Sequence, residues 1–288
     1  MNPNNFVSLS QKHIRRFTIS THDGPFQIEE VLACSIIVVA FYEDCAINIM
    51  RTSDPIEAVQ ETDIQINIDF FTDTCYSSVE EVWETFSKSV YSKLINKSIG
   101  NFEYYPHIED FSFISSFIPP WNSVSKYDYD KYFVEAVETT CLILKHSILQ
   151  AFAVYKADED IRYRIDCDGS IAHEETYFSN GILQIANEME PWLESVLKYN
   201  STAKENFVNF VIFLNYTGWT AQCVPISLED NTPRIPFPEK LIGLDSKNLS
   251  EILGVDGILC SVNDECSARA ETKDAIYSLC FKTTFELI

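Results

Sequence analysis

The stretch that decides the fold is Thr21-His22-Asp23-Gly24-Pro25-Phe26-Gln27-Ile28-Glu29-Glu30, which runs directly into the apolar segment Val31 to Ala40. The residues before it, Phe17 to Ser20, predict a short buried strand. The acids that follow the turn favour a helix from Glu29 to Phe41, because carboxylates stabilise the positive end of the helix dipole. This part of the chain therefore predicts a strand, a turn that carries His22, and a helix.

The same alternation of strand and helix continues downstream. Ala46 to Arg51 predicts a second strand, Asp54 and Pro55 predict the N-cap and first residue of a short helix, and Asp63 to Phe71 predicts a third strand. A β-α-β-α-β order predicts an α/β fold with a mainly parallel sheet that is flanked by helices. Ligand sites are then expected at the carboxyl ends of the strands.

Helices dominate the middle of the chain. Ser77 to Asn96 predicts an amphipathic helix in which Ser77 and Glu80 form a capping box, and residues 101–118 predict a further helical segment. A long helix is predicted by apolar residues spaced three or four apart. They are Phe133, Val137, Cys141, Leu144, Ile148, Phe152 and Tyr155.

The last third of the chain is rich in predicted strands. These cover residues 161–167, 182–186, 207–215, 219–224 and 258–262, with a hairpin turn at Asn215 to Gly218 and a closing helix at Thr272 to Phe281. We therefore predict two domains. Residues 1–125 form an α/β domain, and residues 126–288 form the long linking helix followed by an α+β domain.

Composition narrows the possible partners. The chain has 288 residues, is 46% hydrophobic and carries a net charge of −22, so it has a full core and repels the phosphate backbone of nucleic acid. We expect no DNA partner. The charge fits a basic partner, such as the protein component of a ribonucleoprotein, although a plainly soluble surface explains it equally well.

The cysteines and apolar runs indicate the compartment. The nine cysteines are odd in number, form no C-x-x-C pair and mostly lie in apolar runs, which favours buried reduced thiols in a cytosolic or nuclear protein. The longest apolar run, Val31 to Tyr42, is too short to span a bilayer. We expect a cytoplasmic protein with no membrane partner.

The acidic and histidine residues near the strand ends are candidate metal ligands. They are His22, Asp23, Glu29, Glu30, Asp54 and Asp69. Two divalent ions that flank a phosphorus atom need clustered Asp and His ligands. A site of that kind would have a second His at Gln27, a shorter Asp at Glu29 and a bridging carboxylate at Asn67, so the pattern is that of a damaged two-metal site.

Other chemistries lack their motifs. The sequence contains no G-x-x-x-x-G-K-[ST], no G-x-G-x-x-G and no G-x-S-x-G. His173-Glu174-Glu175 lacks a second His at helical spacing, so it is not a zincin motif. Trp121, Trp192 and Trp219 are interpreted as core residues, because the surrounding charge is acidic rather than basic.

Several separated motifs point in order to one family. They are Thr21 to Phe26 with Glu29 to Cys34, Arg51 to Pro55, Asp63 to Ile68, Gln222 to Pro225, and Arg234 to Glu239 with Gly243-Leu244. In these segments the chain resembles the Myg (melanocyte-proliferating gene) family of metal-dependent hydrolases, which are related to the DHH phosphoesterases and described as RNA exonucleases. The resemblance covers nearly the whole chain and implies a DHH-like first domain and a DHHA1-like second domain.

The departures from that family fall on its chemistry. The resemblance implies that His22, Asp23, Gln27, Glu29 and Asn67 are vestiges of a catalytic site, with no catalytic residue and no metal expected. It places the relic of a Gly-Gly-His substrate loop at Ser267, Ala268 and Arg269. His22, Glu29 and Asp69 are the ligands implied for any ion that is retained.

Three functional hypotheses remain open. A degenerate member of this kind resembles the dormancy factor that occupies the tRNA exit site of microsporidian ribosomes, which implies an inactive homologue that binds ribosomal proteins and rRNA, holds the ribosome in hibernation and needs no cofactor. The alternative is a 3′-5′ RNA exonuclease or phosphodiesterase with altered ligands for Mn²⁺ or Mg²⁺. A scaffold that binds small molecules or proteins, with no link to RNA, is the third.

Overall fold

The structure is a computed structural model, and its residues form two compact units, 1–151 and 152–288. It describes residues 6–8, 15–23, 25–41, 45–66, 75–76, 78–95, 102–119, 126–166, 177–254, 260–262 and 264–285. Among the helices in these ranges, none combines the length and the apolar character needed to cross a membrane.

A mainly parallel sheet forms the centre of the first unit. Its described strands are β1 Phe6–Ser8, β2 Arg15–Thr21, β3 Cys45–Arg51, β4 Ile64–Ile66 and β5 Cys75–Tyr76. They run in the order β1-β3-β2-β4-β5, with β2 to β5 parallel and β1 antiparallel to β3. The predicted parallel sheet is confirmed, and β1 is an added edge strand that the polar N-terminal sequence does not predict.

Helix α1, Ile28–Phe41, is buried on all sides from Glu30 to Ala40. Every residue from Val31 to Ala40 is buried, which explains why this segment is apolar on all sides apart from Ser35, instead of having one apolar stripe. The Ser35 hydroxyl donates to the Val31 carbonyl at 2.7 Å. Helix α3, Val79–Ile95, and a 3₁₀ helix, Ile108–Phe117, pack against it. The helical segment predicted at residues 101–118 is thus a 3₁₀ helix, and residues 102–107 lie outside it.

Hydrogen bonds from backbone N–H groups to nearby side chains fix the first turns of α2 and α3. Helix α2, Pro55–Glu61, begins as predicted, because the Asp54 side chain accepts hydrogen bonds from the backbone N–H groups of Ile56 and Glu57. At α3 the Ser78 hydroxyl accepts from the Glu81 N–H at 3.3 Å. The predicted cap Ser77, like residues 67–71 of the predicted third strand, lies outside the described residues.

Helix α4, Lys126–Asp166, is 41 residues long and contains the predicted apolar stripe. The strand predicted at residues 161–167 is wrong, because α4 continues to Asp166. Ile161 and Ile165 are both buried and lie one helical turn apart. Between them, Arg162-Tyr163-Arg164 alternates between charged and aromatic residues. An alternation over only three residues does not distinguish a strand from a helix. The two units divide within α4, so the domain boundary after residue 125 stays a prediction.

The second unit is built on a sheet with helices on both faces. Its described strands, β6 Phe178–Ser179, β7 Ile182–Gln184, β8 Phe210–Asn215, β9 Gly218–Cys223, β10 Cys260–Val262 and β11 Ser267–Ala270, run in the order β10-β11-β9-β8-β7-β6. Only β7 and β8 pair in parallel among these strands. The strands predicted at residues 182–186, 207–215 and 219–224 are confirmed in type with altered bounds, and the one predicted at residues 258–262 is confirmed over its described part, Cys260–Val262. The sequence did not predict β6 and β11.

Two apolar clusters cover the faces of this second sheet. One joins the sheet to α6, Ser246–Leu253, and α7, Lys273–Phe285, and the other joins it to α5, Leu193–Thr202, and to Ile161 and Ile165 of α4. Burying one such aliphatic side chain contributes about 1.5–3 kcal/mol. The predicted α+β architecture of the C-terminal region, with its closing helix, is confirmed.

Candidate functional site

The turn between β2 and α1 is fixed by contacts with α4 and β3. Phe26 is buried, and its ring packs edge-on against the ring of Phe133 with the centroids 5.3 Å apart. The backbone carbonyl of His22 accepts a hydrogen bond from Arg51 Nη2 at 2.9 Å. The His22 side chain remains exposed at the carboxyl end of β2.

Arg51 is a buried cation that connects this turn to α4. It is 3% exposed, and its Nη1 pairs with Asp130 Oδ1 of α4 at 3.2 Å. The guanidinium carbon lies 4.6 Å from the centroid of the Phe133 ring. Burial lowers the pKa of Arg51, and the carboxylates of Asp130 and Glu30 oppose that effect.

Glu30 acts as the N-terminal cap of α1. The Thr21 hydroxyl donates to Glu30 Oε1 at 3.0 Å, and the Gln27 backbone N–H donates to Oε2 at 2.9 Å. The second of these bonds is the reciprocal half of a capping box, in which a Glu in the first turn satisfies an N–H that has no partner within the helix. Glu30 is buried, so both of its oxygens serve the local structure.

We expect Glu30→Gln to lower the free energy of unfolding by about 1–2 kcal/mol, because a neutral amide weakens both charge-assisted hydrogen bonds and loses the favourable interaction of the carboxylate with the helix dipole. Chemical denaturation followed by circular dichroism measures the change. The matched control is Glu29→Gln in the same turn, where the side chain is exposed and a change within about 0.5 kcal/mol is expected. A more stable Glu30→Gln protein would contradict the capping role. It would indicate that the Glu30 carboxylate is destabilised by repulsion from the neighbouring carboxylates of the cavity.

A cavity of about 180 Å³ lies where β4 and β5 end and α1 and α3 begin. Its polar lining residues are Gln27, Glu29, Glu30, Tyr76, Ser78 and Glu80. The cavity thus occupies the place predicted for a ligand site, at the carboxyl edge of the parallel strands. Within the described part of the chain its lining has three carboxylates and no Lys or Arg, so it repels a bare phosphate group.

Glu80 is held by a hydroxyl at the rim of this cavity. The Tyr105 hydroxyl donates to Glu80 Oε1 at 2.8 Å. A hydrogen bond from its own backbone N–H lowers the pKa of Glu80, and those from Tyr105 and Ser78 lower it further. Burial, followed by the nearby Glu80 carboxylate, raises the pKa of Tyr105 to about 12. Glu80 is therefore an ionised first-turn acid of α3, where the helix dipole favours it.

The structure brings some of the predicted site residues together and separates others. Gln27 and Glu29 line the cavity with Glu30, whereas His22 and Asp23 lie in the preceding turn. Asp54 caps α2. Asn67 and Asp69 lie outside the described residues.

The described donors do not fit a two-metal centre. No group of three or more His, Cys, Asp or Glu side chains in the described ranges is arranged to hold a metal ion. Glu30 and Asp54, two of the candidate carboxylates, accept hydrogen bonds from backbone N–H groups at helix starts. These hydrogen bonds fix where the two carboxylates lie, one at the start of α1 and one at the start of α2, while each oxygen keeps a second lone pair.

The predicted substrate-loop relic lies in the second unit. Ser267, Ala268 and Arg269 belong to β11, which pairs with β9 and β10. Ala268 is buried, whereas Arg269 is exposed. In this chain the segment is therefore regular sheet.

Sequence reasoning missed the roles of Arg51, Glu80 and Tyr105. Arg51 entered only as the last residue of the predicted second strand and the first residue of a matching motif. A usable signal existed, since an Arg at the end of a predicted buried strand needs an acidic partner in the core. No local pattern joins Glu80 to Tyr105, because they lie in different elements.

Comparison with known proteins gives two matches. A family model described as MYG1_exonuc, Uncharacterised protein family (UPF0160), matches residues 98–284, which is more than half of the chain. The protein named MYG1 exonuclease from Mus musculus is 24% identical over 309 residues, which cover 84% of this chain and 78% of the mouse protein.

Proposed function

This chain belongs to the MYG1 exonuclease family (UPF0160), and we propose that it is a catalytically inactive member that binds the ribosome as a dormancy factor. Its partners in this proposal are ribosomal proteins and rRNA near the tRNA exit site. Occupation of that site would block translation in the cytoplasm without any chemical step.

The observation that carries the proposal is the use made of the carboxylates at the candidate site. Both oxygens of Glu30 accept hydrogen bonds from Thr21 and Gln27, and Glu80 accepts one from Tyr105. Gln27 places a neutral amide where a second histidine would serve a metal. A hydrolase that holds two cations needs several carboxylates and imidazoles that converge on them. Two of the three carboxylates that line this cavity, Glu30 and Glu80, are instead engaged in local hydrogen bonds.

The net charge of −22 supports a partner with basic surfaces. An acidic protein is attracted to basic ribosomal proteins and repelled by rRNA phosphates, so the contact with RNA would be local. Tyr216 at the tip of the β8–β9 hairpin is 91% exposed, which makes its ring available for stacking on an unpaired base.

The alternative function is metal-dependent 3′-5′ exonuclease or phosphodiesterase activity. The mouse relative carries the name exonuclease. Glu29 is exposed and lines the cavity, so its carboxylate is accessible to Mn²⁺ or Mg²⁺. This alternative predicts that RNA with a free 3′ end is shortened in the presence of Mn²⁺.

We expect the purified protein to co-sediment with ribosomes at low salt and to dissociate as the salt concentration rises, because attraction between exposed charges is screened. The measurement is the fraction of protein in the ribosome pellet over a salt series. An unrelated acidic protein of similar net charge serves as the control for nonspecific attraction. If the two proteins pellet equally, or if neither pellets, the ribosome proposal fails.

A parallel assay separates inactivity from the alternative. RNA labelled at its 5′ end is incubated with the protein and Mn²⁺, with and without chelator. The expected result is intact RNA in every lane. Stepwise shortening that requires Mn²⁺ and is lost in Glu29→Gln would establish the exonuclease instead.

A further inference from the structure

Two cysteines of the second unit lie opposite each other at the end of the β9–β11 pairing. The register places Ser267 opposite Gln222. One residue further along, the Cys223 N–H donates to the Cys266 carbonyl oxygen at 2.8 Å. Both cysteines are free thiols, so the sheet brings together two groups that a disulfide could join.

This pairing places the two side chains within reach of each other. Directly opposite residues of an antiparallel pair project from the same face of the sheet, and in a hydrogen-bonded pair their Cα atoms lie about 5.5 Å apart. Disulfides span Cα separations of about 4.4–6.8 Å. Cys223 Sγ lies 3.4 Å from the Glu265 carbonyl oxygen, so its side chain is directed at the turn that carries Cys266.

The two thiols differ in their access to solvent. Cys223 is 8% exposed and belongs to the apolar cluster that joins the sheet to α6 and α7, whereas Cys266 is half-buried. Burial, followed by charge at Cys266, raises the pKa of Cys223 to about 12. Burial, followed by Asp264 and Glu265, raises the pKa of Cys266. Cys266 is therefore the thiol that a dissolved oxidant reaches first, and it reacts slowly at neutral pH because the thiolate is the nucleophile.

We propose that Cys223 and Cys266 form a reversible disulfide by exchange with glutathione disulfide, and that this bond cross-links β9 to the start of β11. The Cys266 thiolate attacks one sulfur of glutathione disulfide, whose S–S bond breaks, and the departing glutathione takes up the proton that Cys266 lost. The Cys223 thiolate then attacks Cys266 Sγ, and the second glutathione departs with the proton of Cys223. Two thiols are oxidised and one glutathione disulfide is reduced to two glutathione molecules.

The bond would close the segment between the two cysteines into a loop that contains α6 and β10. A disulfide stabilises mainly by restricting the unfolded chain, and a longer loop gains more. Cys223 gives up only its contact with the Glu265 carbonyl, since a thiol is a weak hydrogen-bond donor. The oxidised protein should therefore unfold at a higher urea concentration than the reduced protein.

Cys34 and Cys141 provide a control within the same molecule. They are neighbours, since charge at Cys141 contributes to the raised pKa of Cys34, and both are buried. Cys141 Sγ lies 3.7 Å from the Ser35 carbonyl oxygen. An oxidant reaches this pair only when the first unit opens, so both should remain thiols while the protein is folded.

The test exposes the folded full-length protein to glutathione disulfide at about pH 8.5, where more of each thiol is ionised. The remaining thiols are then alkylated, and the digested protein is mapped by mass spectrometry. We expect a cross-link between Cys223 and Cys266 with a mass loss of about 2 Da, the two thiol hydrogens. The urea midpoint should rise, and an excess of reduced glutathione should reverse both changes. Cys34 and Cys141 should be recovered in alkylated form.

Single variants separate the two steps of the reaction. In Cys223→Ser the reaction should stop after the first step, which leaves a glutathione adduct on Cys266 and an unchanged urea midpoint. In Cys266→Ser the buried Cys223 should remain a thiol. Cys45→Ser is the matched control, because Cys45 is a half-buried cysteine of the first unit, and the cross-link should form in it as in the wild type.

Each of three results would overturn the proposal. One is a stable glutathione adduct on Cys266 of the wild-type protein without a cross-link, which would show that Cys223 cannot reach it. Another is the absence of any reaction at either cysteine while circular dichroism verifies that the protein is folded. The last is cross-linking of Cys34 to Cys141 at the rate found for Cys223 and Cys266, since both bonds would then form through unfolding.

Discussion

Replacement of Arg51 with methionine is expected to lower the free energy of unfolding by roughly 3–5 kcal/mol, because it removes one member of a buried ion pair. Arg51 is 3% exposed and pairs with Asp130 at 3.2 Å. Methionine keeps much of the apolar stem, so the loss reports the charge and its hydrogen bonds. Denaturation by urea, followed by circular dichroism, measures the change.

A surface ion pair in the same unit provides the control. Lys131 and Glu135 are 71% and 45% exposed and lie 3.7 Å apart. Exposed pairs of this kind contribute about 0–1 kcal/mol, so Lys131→Met should leave the unfolding curve almost unchanged. If Arg51→Met and Lys131→Met change the free energy of unfolding equally, the ion pair of Arg51 with Asp130 does not stabilise the fold as proposed.

The Arg51 variant also probes the candidate site. The Arg51 guanidinium holds the carbonyl of His22 at 2.9 Å and stacks on Phe133. Its loss should loosen the turn that carries His22 and Asp23 while leaving the second unit intact. Hydrogen exchange in residues 21–30 should therefore increase more than in residues 210–223, since local opening follows the contacts that are lost.

Replacement of Gly218 with alanine is expected to cost roughly 2–4 kcal/mol, because it combines backbone strain with a clash. Gly218 has a φ of 121°, and a Cβ built there would lie 2.7 Å from the carbonyl oxygen of Ala270. That oxygen belongs to the backbone of β11, so relief requires the paired strands to move apart. The result would be measured as a shift in the urea midpoint.

Gly243 separates the two contributions. Its φ is 74°, and a Cβ there meets nothing within 4 Å. Gly243→Ala should therefore lower the free energy of unfolding through backbone strain alone, by about 1 kcal/mol. Equal destabilisation by the two substitutions would show that contact with Ala270 contributes nothing at Gly218.

Local sequence predicted many of the elements because their signals are short-range. Asp54 and Pro55 start α2 with groups no more than three residues apart. Asn215 and Gly218 face each other across the β8–β9 turn as predicted. The strand predicted at residues 161–167 failed because alternation over three residues fits both periodicities, and only packing of Ile161 and Ile165 selects the helix.

The roles predicted for the candidate site residues stay predictions, and the structure adds where the described ones lie. His22, Gln27 and Glu29 follow from one contiguous stretch, and Gln27 and Glu29 line the cavity. Glu30 has the same residue type as Glu29, yet one is buried and the other exposed. Periodicity alone does not decide which of two adjacent acids turns towards Thr21.

The sequence by itself determined the alternation of strands and helices from β2 to β4, the apolar character of α1 and the net negative charge, because periodicity, capping and charge act over a few residues. Tertiary structure alone decided that Arg51 meets Asp130, that Tyr105 holds Glu80, and that Cys223 lies opposite Cys266. These partners are separated by 79, 25 and 43 positions in the chain. Folding brings them together through packing of whole elements, and no local pattern records that proximity.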